Sequence, residues 1–370
     1  MNNRHYIIFH NSFDKIAGTE RVISSLLELL SSQEGSKITL LLASEPAPLA
    51  LDIHHHVNDI VYLHNRVTLG GKLALLKTHV KLYKAAVHFL RNCNPRQQTV
   101  CIVTNPFLGV VMDIARKKLK MDMKIIACEH FAHAVSGGLS KLARSIFYKR
   151  MYVVTLTEND RKEIEQRYHP LACICIPNAS PFPVTPYLTE GKEKLILSIG
   201  RLTPQKGFDL LLQAFAPFTK EYPEWKLLII GDDYGDKPLL NQLINQYELM
   251  NNVSIIPSVN NVDDYYRKAA FYVLSSRFEG LPMVMIEAMS FSLPIVAFNC
   301  PTGPAELING DNGILVKNGD TGELAKAMAL LAGNPELILK QSVAAQHMAA
   351  NYSKERINRM WLDFFEKIGV

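Results

Sequence analysis

Two glutamates, Glu279 and Glu287, bracket the run Gly280-Leu281-Pro282-Met283-Val284-Met285-Ile286. The run reads as a loop turning into a helix. Gly280 permits unusual backbone angles, and Pro282 suits the first helical turn, where its missing N–H costs nothing. The start of such a helix leaves N–H groups without acceptors and carries the positive end of the helix dipole, so an anion, most naturally a phosphate, fits there. Glu279 would stand just ahead of that anion and Glu287 one to two turns inside the helix. A ligand with hydroxyls on either side of a phosphate matches this arrangement, and a nucleotide sugar is one. Chance alone spaces two glutamates this way in many chains; the flanks add the weight. Phe271-Tyr272-Val273-Leu274 before and Leu293-Pro294-Ile295-Val296-Ala297 after read as buried parallel strands. The motif therefore sits at the carboxyl end of a strand, where open α/β sheets bind ligands.

Other stretches carry related chemistry. In Ser198-Ile199-Gly200-Arg201-Leu202-Thr203-Pro204-Gln205-Lys206-Gly207, a glycine-punctuated loop follows a strand, and Arg201 and Lys206 could clamp one diphosphate. Taken alone, a pair of surface cations near a turn is the plainer reading. Ile16-Ala17-Gly18-Thr19-Glu20-Arg21 follows the first strand and starts a helix, so Gly18 would let the backbone approach a charged ligand. The G-x-G-x-x-G that a dinucleotide fold wants is missing there, which argues against a nicotinamide dehydrogenase. His54-His55-His56 lacks spaced carboxylate or cysteine partners and reads as a solvated loop.

The elements that must position these groups alternate along the chain. Strand-like runs at 6–9, 38–42, 100–104, 124–128, 153–156 and 172–176 are separated by helical stretches near 19–31, 72–91, 109–119 and 140–150. A proline-rich break, Ser180-Pro181-Phe182-Pro183-Val184-Thr185-Pro186, reads as a stiff connector between domains. The alternation then restarts, with strands at 194–199, 225–230, 253–256, 271–274 and 294–298 and helices near 209–220, 238–250 and 265–270. With 370 residues, 48% of them hydrophobic, two ordinary cores are expected. We expect domains over 1–180 and 181–350. An amphipathic helix over 351–370, with Trp361, Phe364 and Phe365 at helical spacing, should pack on a domain surface, with a crossing back to the first domain as one arrangement.

Composition narrows the partners. The six cysteines lack C-x-x-C pairs and point to free thiols; no metal site is expected. No apolar stretch approaches the roughly 20 residues a spanning helix needs, and the start resembles no signal sequence, so a cytoplasmic protein is expected. The net charge of +5 is uneven: residues 1–185 hold 23 basic and 14 acidic side chains, and the remainder 17 and 21. Lys72, Lys77, Lys81, Lys84 and Arg91 form a cationic ladder interleaved with leucines. It suits peripheral contact with an anionic membrane surface as well as it suits a solvated helix face. No signature of nucleic-acid binding accompanies the charge.

Taken in order, these motifs resemble glycosyltransferase family 4, whose members have the GT-B fold and transfer sugars from nucleotide-sugar donors. The resemblance covers nearly the whole chain. It rests on Ala17-Gly18-Thr19-Glu20-Arg21 (family GGxER), Glu129-His130, Pro177-Asn178-Ala179 (PNG), Gly200-Arg201 with Lys206-Gly207, the Glu279/Glu287 pair and Asn312-Gly313-Ile314-Leu315-Val316 (NGxLV). It implies an α/β protein of two facing Rossmann-like, doubly wound parallel-sheet domains with an interdomain cleft. The first domain would bind the acceptor and the second the donor.

By the same resemblance Arg201 and Lys206 neutralise the donor diphosphate in place of a metal, Gly18 contributes from the opposing domain, and Glu287 accepts from the ribose. Glu279 accepts from sugar hydroxyls, backbone at Gly280, Leu281, Met283 and Val284 meets phosphate or sugar oxygens, and Ser258 lies in a loop that contacts the base. His130 lies near the reacting sugar, with His133 a competing candidate. Ala17, Ala179, Pro257 and Asp232-Asp233 depart from the family pattern, Pro257 by removing a backbone donor near the base. Thr157 and Glu158 receive no role. The implied activity is a retaining, metal-independent transfer of a hexose or N-acetylhexosamine. The donor would be a UDP-sugar and the acceptor a glycan or lipid-linked glycan, in bacterial surface polysaccharide biosynthesis; Cys300-Pro301-Thr302-Gly303-Pro304-Ala305-Glu306 is similar to polysaccharide-building members. A GDP-mannose-dependent mannosyltransferase and a catalytically silent nucleotide-sugar-binding partner are the alternatives.

Overall fold

The computed structural model describes residues 4–15, 18–63, 72–94, 97–130, 137–188 and 190–370, and of 72–77 the backbone alone. The chain divides into two compact units, Met1–Pro177 with Asn358–Val370, and Asn178–Ile357. Both are Rossmann-like parallel sheets flanked by helices, the pair of domains that makes up a GT-B fold.

In the first unit, β1 (Arg4–His10), β2 (Ser36–Leu42), β3 (Asp59–Tyr62), β4 (Gln98–Val103), β5 (Met123–Glu129), β6 (Tyr152–Thr155) and β7 (Ala172–Cys175) pair in the order β3-β2-β1-β4-β5-β6-β7. Every pairing is parallel. Helices α1 (Gly18–Ser31), α2 (Lys72–Arg91), α3 (Pro106–Leu119), α4 (Gly138–Phe147) and α5 (Glu158–Tyr168) connect them. Consecutive residues such as Ile7, Ile8 and Phe9 are all fully buried, so the sheet is covered on both faces and its strands read as unbroken apolar runs.

The second unit repeats the plan. Strands β8 (Leu195–Ile199), β9 (Lys226–Ile230), β10 (Val253–Ile256), β11 (Phe271–Leu274), β12 (Ile295–Asn299) and β13 (Gly313–Lys317) take the order β10-β9-β8-β11-β12-β13. Its helices are α6 (Phe208–Glu221), α7 (Lys237–Gln246), α8 (Val262–Lys268), α9 (Met283–Ser290), α10 (Pro304–Leu307), α11 (Thr321–Ala332) and α12 (Pro335–Ala349). Each sheet reverses its winding once, between β1 and β4 and between β8 and β11. Such a switch point opens a crevice at the carboxyl ends of two neighbouring strands.

The last helix, α13 (Lys354–Lys367), carries the chain from the second unit into the first. There the Phe365 ring meets Tyr6 at 5.6 Å and Phe364 meets Tyr152 at 6.3 Å, while Gln98 Nε2 donates to the Gly369 carbonyl at 2.6 Å.

Several elements differ from the sequence reading, each for a local reason. The proline-rich run is docked on the second unit: Ser180 N donates to Tyr352 O at 2.8 Å, Thr185 N to Ser290 O at 2.7 Å, and Phe182 packs on Phe291 at 5.1 Å. Helix α5 is polar nearly throughout and so lacks an apolar stripe. Thr157 caps it by accepting from Asp160 N, and Arg161 bridges Glu158 and Glu165 at 2.6 Å each. Helix α8 begins at Val262, with Asp263 and Asp264 in its first turn, and stops before Ala269, whose backbone is extended. Pro282 stands at the N-cap of α9, one position before the helix it was expected to open.

Candidate functional site

Lys206 ends a single 3-10 turn, Pro204–Lys206, between β8 and α6. The next residue, Gly207, has φ +64°, and a Cβ there would lie 2.1 Å from the Ser275 carbonyl oxygen. Only glycine lets the turn press this close to the end of β11. A Cβ on Gly200 would lie 3.0 Å from Lys206 Cδ and Cε, so the lysine stem runs along the bare backbone at the end of β8.

Thus guided, Lys206 Nζ reaches Glu279 Oε1 at 2.8 Å, with side-chain exposures of 14% and 8%. Ser276 Oγ donates to the same oxygen at 2.6 Å, and Oε2 makes no hydrogen bond among the described residues. Arg277 fastens the two loops across the switch point: its guanidinium forks Asp209 at 2.7 and 2.8 Å and donates to Pro204 O at 2.7 Å. A side-chain cation and an acceptor carboxylate are therefore held together at the crevice between β8 and β11.

Beside them, α9 opens with Met283 and Val284, whose N–H groups have no acceptor among the described residues, behind Gly280 and the buried Leu281. Glu287 lies on α9, and Tyr266 OH donates to its Oε2 at 2.9 Å. The Tyr266 ring is stacked on Phe291 at 5.3 Å and 9°, which fixes the donor. Arg201 is exposed, lies over the Tyr234 ring at 5.6 Å and pairs with no carboxylate among the described residues. Ser258 N donates to Asp232 Oδ1 at 3.1 Å.

The sequence reading assigned no consequence to Asp232-Asp233. Asp232 holds the Ser258 loop, and Asp233 Oδ1 accepts from Gly235 N and Lys237 N, tying the loop into the start of α7. Thr302 was also missed as a site residue. Its φ is +69°, unusual for a β-branched residue, and its Oγ1 donates to the Glu279 carbonyl at 2.5 Å. The Cys300–Glu306 run gave no signal of that contact beyond its likeness to relatives.

The first unit has its own crevice, between β1 and β4. His10 Nδ1 bonds Thr104 Oγ1 at 2.7 Å across it, and His10 Nε2 bonds Glu20 Oε1 at 3.0 Å. With Glu20 as a carboxylate, the hydrogen-bond pattern puts the imidazole proton on Nε2 and leaves Nδ1 to accept from the threonine. Burial pulls the His10 pKa down against the opposing pull of Glu20. His130, directly after β5, is driven to about 4 by burial and then by the neighbouring His10. Gly18 opens α1, where an added Cβ would meet no atom within 4 Å. Ala17 and His133 lie outside the described residues.

His54–His56 form a 3-10 turn, with His56 bonded to Ser31; among the described residues no three His, Cys, Asp or Glu side chains group as a metal site. A separate cavity of about 620 Å³ opens toward the amino ends of β1 and β2, lined by His5, Lys37, Thr39 and Phe89. Its walls run along β3 and the end of α2 and include none of His10, Thr104 and His130.

Comparison with known proteins agrees with the fold. Residues 185–348 match the family described as glycosyl transferases group 1. An uncharacterized glycosyltransferase of Haemophilus influenzae is 30% identical over 350 residues, covering 93% of this chain and 95% of its own. The amylovoran biosynthesis glycosyltransferase AmsD of Erwinia amylovora is 29% identical, covering 96% and 98%. The crystal structure of Anabaena HepE in complex with UDP superposes with a TM-score of 0.79 at 17% identity, covering 98% of this chain and 100% of that one. With a family match across the second unit and a relative aligned over nearly its full length, this chain belongs to the group 1 glycosyl transferases.

Proposed function

We propose that the protein is a retaining, metal-independent glycosyltransferase of family 4 that moves a hexose or N-acetylhexosamine from a UDP-sugar to a glycan or lipid-linked glycan acceptor. The observation that carries this reading is the pairing of Lys206 with Glu279 beside the open amino end of α9, at the switch point of the second sheet. Residues 181–350 would hold the donor and 1–180 the acceptor. The diphosphate would draw Lys206 from Glu279 and take Arg201 as a second cation, leaving Glu279 to accept from sugar hydroxyls and Glu287 from the ribose.

In the transfer, the acceptor oxygen bonds to C1 of the sugar on the face from which the diphosphate leaves. The C1–O bond to phosphate breaks, and the acceptor proton passes to the departing phosphate oxygen. Negative charge grows on that oxygen as the bond breaks, so fixed cations and N–H groups act where charge develops. Uridine as the base is supported by the UDP held in the HepE structure, and surface polysaccharide as the product by the amylovoran relative. No described helix is long and apolar enough to cross a membrane. Peripheral contact at the cytoplasmic face is supported by the exposed Leu139, Leu142 and Ile146 along α4 and the exposed Lys81, Lys84 and Arg91 of α2.

A thermal-shift screen of UDP, GDP and their sugars tests the assignment, because a ligand that prefers the folded state raises the melting temperature. We expect the largest shift from a UDP-sugar, with slow release of free sugar. No shift from any nucleotide would overturn the donor site, and a shift with no sugar release would favour a silent binding protein.

A further inference from the structure

At the end of β5, Glu129 is 5% exposed and Arg144, from α4, is 2% exposed. The guanidinium forks the carboxylate, Nε to Oε1 at 2.6 Å and Nη2 to Oε2 at 2.7 Å, and Tyr148 OH donates to Oε1 as well. Burial, followed by the Glu129 charge, raises the Tyr148 pKa well above its usual value, so this phenol stays a donor. Arg144 Nη1 is buried and has no hydrogen-bond partner among the described residues.

A sealed ion pair with an unsatisfied nitrogen is a poor source of stability, since apolar residues of similar size often serve a core equally well. What the cluster does supply is geometry. It holds the last residue of β5 by three donors, two from Arg144 on α4 and one from Tyr148 in the turn just after it, and His130 is the next residue. The neighbouring cluster on Asp113 contrasts with it: Arg116 and Arg150 pair there with side-chain exposures of 20% and 35%, in α3 and in the turn that leads into the amino end of β6, and neither holds the carboxyl end of a strand.

We infer that Arg144 and Tyr148 are positioning residues: their clamp on Glu129 fixes the strand end from which His130 is presented to the reacting sugar. The inference rests on the reading of His130 as a site residue. A displacement of about 1 Å at reacting groups can lower turnover by about 100-fold, so the clamp can matter without touching substrate.

The test compares Arg144→Met, Arg144→Lys, Tyr148→Phe and His130→Ala, with Arg150→Met as a control that cuts the Asp113 pair. Three quantities are read: turnover of the UDP-sugar giving the largest thermal shift, UDP affinity by calorimetry, and the titration of the His130 imidazole by NMR. We expect Arg144→Met to lower kcat about 100-fold and Tyr148→Phe about 10-fold. UDP affinity should hold, and the His130 titration should move from about 4 toward 6.5. Arg144→Lys should restore part of the rate, because it keeps the charge but not the fork. If Arg144→Met does not fold, Tyr148→Phe carries the test.

Wild-type kcat and an unmoved His130 titration in the folded variants would overturn the inference, as would equal losses in Arg150→Met. If His130→Ala leaves turnover intact, the site reading fails instead. The titration alone then judges the clamp, a moved value supporting it and an unmoved one overturning it.

Discussion

The two crevices of this protein share one topology and differ in charge. Between β8 and β11 stand a lysine and a glutamate at 2.8 Å, with an arginine nearby that pairs with no carboxylate among the described residues; between β1 and β4 stand His10 and Thr104, with His130 just past the end of adjoining β5. Burial keeps both imidazoles neutral near pH 7. The second crevice thus offers fixed charge to a phosphate, whereas the first offers neutral donors and acceptors suited to a hydroxyl. One backbone plan thus carries charge at one switch point and neutral imidazoles at the other, and on the proposed function these would serve the donor and the acceptor in turn.

The sharpest way to break this comparison is Lys206→Ala. Loss of the cation at the departing diphosphate should lower kcat/KM by about 10³-fold, read in a coupled assay of UDP release. Unchanged turnover would remove the charged crevice from the chemistry. Arg201→Ala comes next at about 10²-fold, partly rescued by lysine, which keeps the charge without the planar fork. Tyr266→Phe leaves Glu287 in place but unaims it, so UDP binding measured by calorimetry should weaken by about 5- to 10-fold, or about 1 kcal/mol. A matching loss with 2′,3′-dideoxy-UDP would show that Glu287 does not read the ribose.

The neutral crevice makes a prediction in pH. Because His130 is held at about 4, turnover should stay level through pH 6.5 and fall only as pH approaches 4. An acid limb centred near 6.5 would contradict its burial. Stability follows the same sign. His5, driven to about 4 first by burial and then by Lys37, binds its proton more readily when unfolded. Its contribution is complete above about pH 6.5 and is lost as pH falls toward 4, on the order of 2–3 kcal/mol. Urea midpoints at pH 7.5 and 5 should therefore diverge, and His5→Gln should narrow the gap.

Much of this was legible before any coordinates. Buried parallel strands announce themselves as unbroken apolar runs, and glycine-bearing loops at their carboxyl ends mark the switch points, so Lys206, Glu279 and Glu287 could be singled out there, whereas their roles came only with the family resemblance. What pattern cannot reach is contact between distant segments. Nothing in Asp232 tells that it takes the Ser258 N–H, nor in Arg144 that it closes on Glu129 fifteen residues earlier. Helix α5 escaped because Arg161 and a Thr157 cap hold it where an apolar stripe would otherwise be needed. The proline-rich run differs for the opposite reason: its composition suggests a stiff connector between domains, and what it does not tell is that Phe182 packs on Phe291.

Thr302 carries one more consequence. Its left-handed backbone costs on the order of 1–2 kcal/mol, and its hydroxyl holds the Glu279 carbonyl in return. Thr302→Gly would release that tension but give up the hydroxyl bond and free the unfolded chain, so stability should change little while the loop that carries Glu279 loosens. Heat selection would therefore be nearly blind to this one position and growth selection would not, and a library sorted by each in turn would show threonine enriched only under the second.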